Sequence, residues 1–233
     1  MGPAATVDFL SKVIATTQAR SDQEHVPLLV HQVPQIPDRS KAILAGTDEP
    51  FTPIRAALTV LANSGAEFAV MPCNSAHHWY ERLAAAVHIP LLHIADAVGD
   101  ELAHIFPAAR RIALMATRGT TLSGIYPRRL HDSPLIWRLP DEEAQRSIDQ
   151  SILAVKAGEH RIARSAAVKG ARSLLDGGAE VLVLACTELP LALQGTSEMS
   201  VCADSTLALA KLCVKESRRL SLNHAGFPGG SVL

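Results

Sequence analysis

The sequence is poor in aromatic residues and carries no excess of basic charge. Only 4% of its 233 residues are Phe, Trp or Tyr, and 22 Lys and Arg residues stand against 23 Asp and Glu residues. A nucleic-acid-binding surface usually combines a basic patch with aromatic side chains that stack on bases. The composition therefore argues against a nucleic-acid partner.

Long apolar runs are also missing. No stretch reaches the ~20 residues that a helix needs to cross a bilayer, so no membrane partner is expected, and the N-terminus shows no basic segment followed by an apolar core. Four cysteines without close pairing do not form a disulfide framework. These features predict a cytoplasmic protein whose free thiols are available for chemistry.

Apolar runs alternate with longer amphipathic stretches, and 48% of the residues are hydrophobic, which allows a sizeable core. The patterns predict strands at 28–33, 66–71, 90–94, 111–116, 135–139 and 180–185. They predict helices at 50–64, 79–87, 121–131 and 205–219, one or two helices within 141–176, and a flexible tail at 223–233. Strands separated by helices indicate an α/β fold with parallel sheets.

An internal similarity links the two halves of the chain. Residues 64–73 (SGAEFAVMPC) align without gaps with residues 177–186 (GGAEVLVLAC), and each segment ends in a cysteine. The similarity predicts two related half-domains, each with a cysteine, Cys73 or Cys186, at the end of a parallel strand. Ligands bind outside the carboxyl ends of such strands, so two facing lobes would direct both thiols into one cleft.

Two thiols in one cleft favour proton transfer. A free thiol has a pKa of about 8.5, close enough to neutrality for acid–base work. Racemisation needs a base on one face of a carbon and an acid on the other, and Cys73 and Cys186 could supply both. Two alternatives stay open at this point: both cysteines could be small buried hydrophobes, or Cys73 and His77 could be half of a metal site. Cys202 and Cys213 have no polar motif beside them and are expected in the core.

The cysteine motifs resemble those of a known superfamily. Residues 71–77 (MPCNSAH) and 184–189 (LACTEL) are similar to the two signatures of the aspartate/glutamate racemase superfamily. Further stretches resemble its aspartate racemase branch, namely 36–40 (IPDRS), 114–120 (LMATRGT), 155–158 (VKAG) and 204–206 (DST). Glutamate racemases typically have His after the second Cys-Thr, whereas this chain has Glu188, which also points to the aspartate branch.

The resemblance implies a fold and an assembly. It implies two pseudo-symmetric flavodoxin-like lobes with a cleft between them, formed by residues 1–97 and 98–205, with a helix at 206–222 packing back on the first lobe. It also implies no cofactor, no metal and a homodimer.

The resemblance further implies roles for individual residues. Cys73 and Cys186 would be the catalytic pair, and Arg39 and Lys156 would bind the side-chain carboxylate of the substrate. Arg offers a planar fork for a carboxylate and Lys a mobile point charge. The substrate's α-carboxylate and ammonium would be held by Asn74, Ser75, Thr117, Thr120 and Thr187.

The start of the chain departs from the family pattern. Members begin with a strand that ends in Gly-Gly just before the Met-Gly-Pro found here at residues 1–3. We therefore expect the first strand of the first lobe to be missing, and 28–33 and 66–71 to lack a common partner. We also expect this form to be less stable and less active than one extended upstream by about ten residues.

The function that follows is the cofactor-independent racemisation of an acidic amino acid, most directly aspartate, as a small-molecule substrate. Alternatives within the superfamily are a glutamate racemase, a broad-specificity amino-acid racemase and a maleate isomerase. Arg39 and Lys156 disfavour a hydantoin racemase and an arylmalonate decarboxylase, whose substrates have no matching distal carboxylate. A non-catalytic ligand-binding protein is the alternative from another class.

Overall fold

All strands lie in two parallel sheets. The computed structural model describes residues 2–225, and in it β1 (Ala69–Val70) pairs with β2 (Leu91–Leu92). The larger sheet has the order β4-β3-β5-β6, formed by β3 (Arg111–Ala116), β4 (Ile136–Arg138), β5 (Val181–Ala185) and β6 (Cys202–Asp204). The predicted α/β class and parallel pairing are confirmed.

Helices connect and cover these strands. They are α1 (Pro3–Thr16), α2 (Arg39–Ala45), α3 (Phe51–Asn63), α4 (Tyr80–Ala86), α5 (Ile94–Ile105), α6 (Arg118–Ser123), α7 (Ile125–Arg129), α8 (Glu142–Lys156), α9 (His160–Asp176), α10 (Leu189–Leu193) and α11 (Ser205–Ala225). Short 3₁₀ helices span Asp22–Glu24, Asn74–Trp79 and Ser197–Val201. Within the described part of the chain, none of the helices is long and apolar enough to cross a membrane.

The larger sheet is buried between two layers of helices. Side chains of β3 and β5 alternate, so that Ala113 and Leu182 pack with α8 and α9 while Ile112 and Val183 pack with α5 and α7. Every residue of β5 is buried. A strand covered on both faces reads as a continuous apolar run, which is why the sequence defines β3 and β5 well.

Residues 28–33 do not form the predicted strand. They have no regular secondary structure, and residues 28–32 make no backbone hydrogen bond with another described residue. Leu29 and Val30 are each 52% exposed, and an apolar groove of about 110 Å³, lined also by Phe9 and Leu58, lies beside Val70 of β1. A strand forms only against a hydrogen-bonded neighbour, and among residues 2–225 β1 pairs with β2 and with no other strand.

Other boundaries also differ from the predicted ones. The predicted strands 66–71 and 90–94 shrink to two residues each, and the predicted helix 121–131 is two helices because Gly124 adopts φ 61° and ends α6. A left-handed residue stops a helix, and glycine takes that conformation at little cost.

The last helix is longer than predicted. Helix α11 runs through residue 225, so the first three residues of the predicted tail are helical, and residues 226–233 lie outside the described part. Leu209 and Cys213 of α11 pack with Phe9 of α1 and Ile94 of α5. The lobe boundaries at 97 and 205 stay predictions.

Candidate active site

One cleft opens at the carboxyl ends of β1, β3 and β5 and has a volume of about 280 Å³. This is the edge at which parallel sheets bind ligands. Eight of the nine residues predicted from sequence line it, namely Arg39, Cys73, Asn74, Ser75, Thr117, Lys156, Cys186 and Thr187. The ninth, Thr120, is buried behind the cleft wall at 1% exposure. The structure therefore brings the two motifs together in a single site.

Cys186 follows β5 directly and is 7% exposed. Its Sγ donates a hydrogen bond of 3.0 Å to Oε2 of Glu188, which also accepts one of 3.2 Å from Oγ1 of Thr187. Burial, and next the adjacent Glu188 carboxylate, raise the pKa of the Cys186 thiol well above its ordinary value. The sequence places Glu188 in the second motif but gives no sign that its side chain turns back to the sulfur.

Cys73 follows β1, lines the same cleft and is half-buried. The guanidinium of Arg39 is its charged neighbour. Burial works against the charge on Arg39, but the Cys73 sulfur, followed by Asp38 and Glu188, holds the pKa of Arg39 above its ordinary value. One thiol thus faces a cation and the other faces a carboxylate.

The Arg39 side chain is held by its own turn. Nη1 donates to the carbonyl oxygens of Ile36, at 3.1 Å, and Pro37, at 3.0 Å, while the buried Nε has no hydrogen-bond partner among the described residues. Asp38 caps α2 by accepting from the backbone N of Lys41 at 3.0 Å, which fixes the start of that helix. The guanidinium is positioned before any ligand binds.

Lys156 ends α8 on the rim of the cleft and is exposed. It makes no hydrogen bond or ion pair with a described residue, so its ammonium is free to meet a ligand. The positive charge of Lys156 also interacts electrostatically with Asp38. Burial alone would raise the pKa of Asp38, but the bond from Lys41, followed by Lys156 and Arg39, lowers it.

Three hydroxyl groups form a cluster where the lobes meet. Oγ of Ser75 lies 2.7 Å from Oγ1 of Thr120 and 3.1 Å from Oγ1 of Thr117, and the two threonine oxygens are 3.0 Å apart. Thr117 also caps α6 by accepting from the backbone N of Thr120. Nearby, the backbone N of Gly119 donates to Oγ of Ser40 at 2.9 Å. Hydroxyls both donate and accept, so this wall suits an ammonium or a carboxylate.

Asn74 is predicted to hold the substrate, yet most of its amide is already engaged. Its Oδ1 accepts from Oη of Tyr126 at 2.5 Å, and its Nδ2 donates to Oγ of Ser205 at 3.0 Å. Ser205 in turn donates to the carbonyl oxygen of Leu184. One amide hydrogen remains for a ligand, and the rest of the side chain ties Cys73's loop to the second lobe.

The side chain of His77 stabilises the same loop, which contains Cys73. Its Nε2 accepts from the backbone N of Ile94 at 3.2 Å, so the ring hydrogen is on Nδ1, which lies 3.0 Å from the carbonyl oxygen of Cys73. Burial lowers the pKa of His77 to about 4. Burial, followed by the electrostatic effect of the neighbouring His77, lowers the pKa of His93 to about 3. Both ring nitrogens of His77 are engaged, which leaves none for a metal shared with Cys73. Among residues 2–225, no group of three His, Cys, Asp or Glu side chains could hold a metal ion.

Comparison with known proteins agrees with this geometry. The sequence model of the Asp/Glu/hydantoin racemase family matches residues 1–213. The structure of Picrophilus torridus aspartate racemase superposes with a TM-score of 0.83 at 29% identity, over 93% of this chain and 90% of that one. The broad-specificity amino-acid racemase RacX of Bacillus subtilis is 27% identical over 220 residues, which are 92% of this chain and 93% of that protein.

A more distant structure extends the likeness in fold alone. Glutamate racemase from Campylobacter jejuni is 16% identical, with a TM-score of 0.63 over 91% of this chain and 82% of that one. Two flavodoxin-like lobes are common to these racemases, and the two-lobed expectation for this chain is met. Since the family model spans nearly the whole chain, the protein belongs to the Asp/Glu/hydantoin racemase family and is an amino-acid racemase, that is, an isomerase.

Proposed function

We propose that this chain racemises an acidic amino acid, most directly aspartate, with one of the pair Cys73 and Cys186 removing the α-proton and the other donating a proton to the opposite face. The observation that carries the proposal is that both thiols line one cleft together with the two cations Arg39 and Lys156. The two thiols supply the acid and the base, and the two cations favour a substrate with a second carboxylate.

The chemistry is a balanced exchange of protons. A cysteine thiolate takes the hydrogen from the α-carbon and becomes a thiol, and the electron pair of the broken C–H bond is left on the substrate, delocalised into its α-carboxylate. The opposite thiol then gives its proton to the other face of the carbon and becomes a thiolate. General acid–base catalysis of this kind contributes roughly 10²–10⁴-fold per group.

The remaining residues hold the substrate between the thiols. We assign the α-carboxylate and ammonium to the hydroxyl wall of Ser75, Thr117 and Thr187, with Asn74 offering its remaining amide hydrogen and Thr120 orienting the two hydroxyls in front of it. The distal carboxylate goes to Arg39 and Lys156, since a cationic fork and a mobile ammonium suit that group.

A broader substrate range is the second candidate. It is favoured by the similarity to a broad-specificity racemase and by the position of Lys156, whose exposed side chain at the end of α8 could move away from a substrate without a carboxylate. Comparing aspartate with glutamate, alanine and lysine as substrates separates the two candidates.

The experiment is to incubate the pure protein with each L-amino acid in D₂O and to follow both the D-isomer and deuterium at the α-carbon. We expect both with aspartate, and expect Cys73→Ala and Cys186→Ala each to abolish racemisation. Cys202→Ala, which removes a thiol outside the cleft, is the matched control. Full racemisation by either cleft variant would rule out the two-thiol mechanism.

We further propose that the enzyme works as a homodimer in the reducing cytoplasm. Light scattering coupled to size-exclusion chromatography measures the mass directly, and a monomer mass for the active protein contradicts the dimer.

A further inference from the structure

The two thiols of the cleft have neighbours of opposite charge. We propose that Glu188 is a positioning residue that holds Cys186 as the protonated member of the pair, so that the resting enzyme presents a thiol at Cys186 and its base at Cys73. This inference rests on the proposed two-thiol function. The inference is based on the 3.0 Å hydrogen bond from Sγ of Cys186 to Oε2 of Glu188. Both residues are less than 8% exposed.

The hydrogen bond favours the proton on the sulfur as long as Glu188 is ionised. A carboxylate accepts hydrogen bonds and cannot donate one, so an ionised Glu188 stabilises Cys186 as a thiol. A thiolate in the same place would put two negative charges about 3 Å apart in a buried site, which is the arrangement that keeps one member of a carboxylate pair protonated. Thr187, which also donates to Oε2 of Glu188, keeps the carboxylate turned toward the sulfur.

The other charged groups around the cleft do not reverse the preference of Cys186 for its protonated form. Burial and Glu188 raise the pKa of Cys186, and Lys156 acts in the opposite direction as a weaker influence. Arg39 lies beside Cys73, whose sulfur raises the pKa of Arg39 more than Asp38 or Glu188 does. The charged groups facing the cleft from α2 and its cap, from α6 and from α8 are Asp38, Arg39, Lys41, Arg118, Asp149 and Lys156.

The arrangement gives the catalytic cycle a defined starting point. With the enantiomer whose α-hydrogen faces Cys73, Cys73 removes that proton and Cys186 donates its own, which leaves Cys73 as the thiol and Cys186 as a thiolate beside Glu188; the other enantiomer reacts with this second form. That second form is the less stable one, and a proton must return from solvent to Cys186 and leave Cys73 before the resting form is restored.

The values of kcat/KM in the two directions cannot test this asymmetry. Two enantiomers have equal free energies in solution, so kcat/KM must be the same for D and L substrates whatever the protonation of the free enzyme. The test therefore has to read each thiol directly.

The experiment measures the rate of alkylation of each cysteine by iodoacetamide across pH, with peptide mass spectrometry to separate Cys73 from Cys186. In Glu188→Gln, which keeps the shape and an acceptor oxygen but removes the charge, the alkylation midpoint of Cys186 should fall by about one pH unit or more. The midpoint reports the protonation of the thiol, whereas the absolute rate of alkylation also depends on how far the thiol is buried. The alkaline limit of racemase activity should move to lower pH by a similar amount, a change that a purely structural role of Glu188 does not produce.

Glu198→Gln is the matched control. Glu198 is also buried, at 7% exposure, and lies near a cysteine, Cys202, but it pairs with Arg172 away from the cleft. Its substitution should leave the midpoint of Cys186 and the pH profile of activity in place.

A second measurement covers the case in which Glu188→Gln does not fold. The thiolate absorbance of Cys73→Ser, after subtraction of that of the Cys73→Ser/Cys186→Ser double variant, reports Cys186, and the same subtraction from Cys186→Ser reports Cys73. The double variant supplies the signal of the two remaining thiols, since burial raises the pKa of Cys202 to about 12 and that of Cys213 to about 11. We expect the Cys186 thiolate to form at distinctly higher pH than the Cys73 thiolate. Equal midpoints, or a Cys186 midpoint unmoved in a folded Glu188→Gln protein, overturn the inference even if the enzyme racemises aspartate. A shifted Cys186 midpoint in a protein without racemase activity supports the role of Glu188 and refutes the proposed function instead.

Discussion

The approach of α2 to α6 leaves no room for a side chain at Gly119. A Cβ there would lie 2.6 Å from Cα of Ser40, 2.7 Å from its Oγ and 2.9 Å from its carbonyl oxygen. Carbon atoms in contact are normally about 3.5–4.0 Å apart, so Gly119→Ala must push the backbone of α2 away by roughly 1 Å. Two of the three contacts are with backbone atoms, so a rotamer change at Ser40 cannot relieve them. The displaced helix begins with Arg39.

The expected losses differ for stability and activity. Overpacking costs about 1–3 kcal/mol, and helix propensity returns about 1 kcal/mol, so the net destabilisation should not exceed about 2 kcal/mol, or roughly 4–8 °C in Tm. A misplacement of about 1 Å near reacting groups can cost on the order of 10²-fold in rate. We therefore expect Gly119→Ala to remain folded at room temperature while kcat/KM for aspartate falls about 10²-fold.

The assay pairs thermal unfolding with racemisation kinetics. Gly170→Ala is the matched control, because its new Cβ would lie 3.0 Å from Cγ1 of Ile148, a side-chain atom that can move, within the α8–α9 contact of the second lobe. Its kcat/KM should stay close to that of the wild type. Wild-type kinetics in Gly119→Ala would refute the argument that this close approach sets the position of Arg39.

Two further predictions concern charge. Arg39→Leu should lower kcat/KM for aspartate by about 10²-fold, because a charge-assisted hydrogen bond worth about 1.5–3 kcal/mol is lost; equal turnover of aspartate and alanine by the wild type would contradict the carboxylate role. His77, whose pKa falls from 6.5 unfolded to about 4 folded, stabilises the protein above its unfolded pKa, and this contribution is lost as pH falls toward the folded value. His77 alone should account for a drop in stability of roughly 2–3 kcal/mol between these limits, in addition to that from His93, so His77→Gln should make the pH dependence seen in urea unfolding less steep; an unchanged slope would exclude a contribution from His77.

The second lobe is the part that the sequence predicts best. Strand β3 has the predicted limits, and β5 begins one residue later than predicted. Both strands are buried between two helix layers, so every position after the exposed Arg111 of β3 is apolar. The internal repeat also placed Cys73 and Cys186 at strand ends, from which their meeting in one cleft followed.

The first lobe was harder to predict because the sequence pattern of a strand does not show which other strand it will pair with. Residues 28–33 are mostly apolar and bounded by prolines, as a strand could be, but a local pattern does not show which segment would form hydrogen bonds with them. Helix α1 was missed although it carried a signal: Pro3 at its first turn and Ala5, Phe9 and Val13 on one buried face at spacings of four.

The detailed roles of polar side chains could not be read from the sequence at all. The engagement of Asn74 with Tyr126 and Ser205 joins residues far apart in the chain. The unpaired Nε of Arg39 and the turn of Glu188 toward Cys186 depend on rotamers that only tertiary packing selects. Motif similarity identifies which residues meet, whereas their charges and hydrogen bonds are set by neighbours that the motif does not contain.

A racemase has to treat mirror-image substrates alike with a protein that has no mirror symmetry. The repeat within this chain brings two equivalent strand ends together, but the charged residues next to the two cysteines differ, with Arg39 beside Cys73 and Glu188 beside Cys186. This inequality is compatible with the reaction because the equality of kcat/KM for the two enantiomers is set by their equal free energies and not by the enzyme. The protein is therefore free to favour one resting protonation state, and unlike charges beside the two thiols make that state well defined.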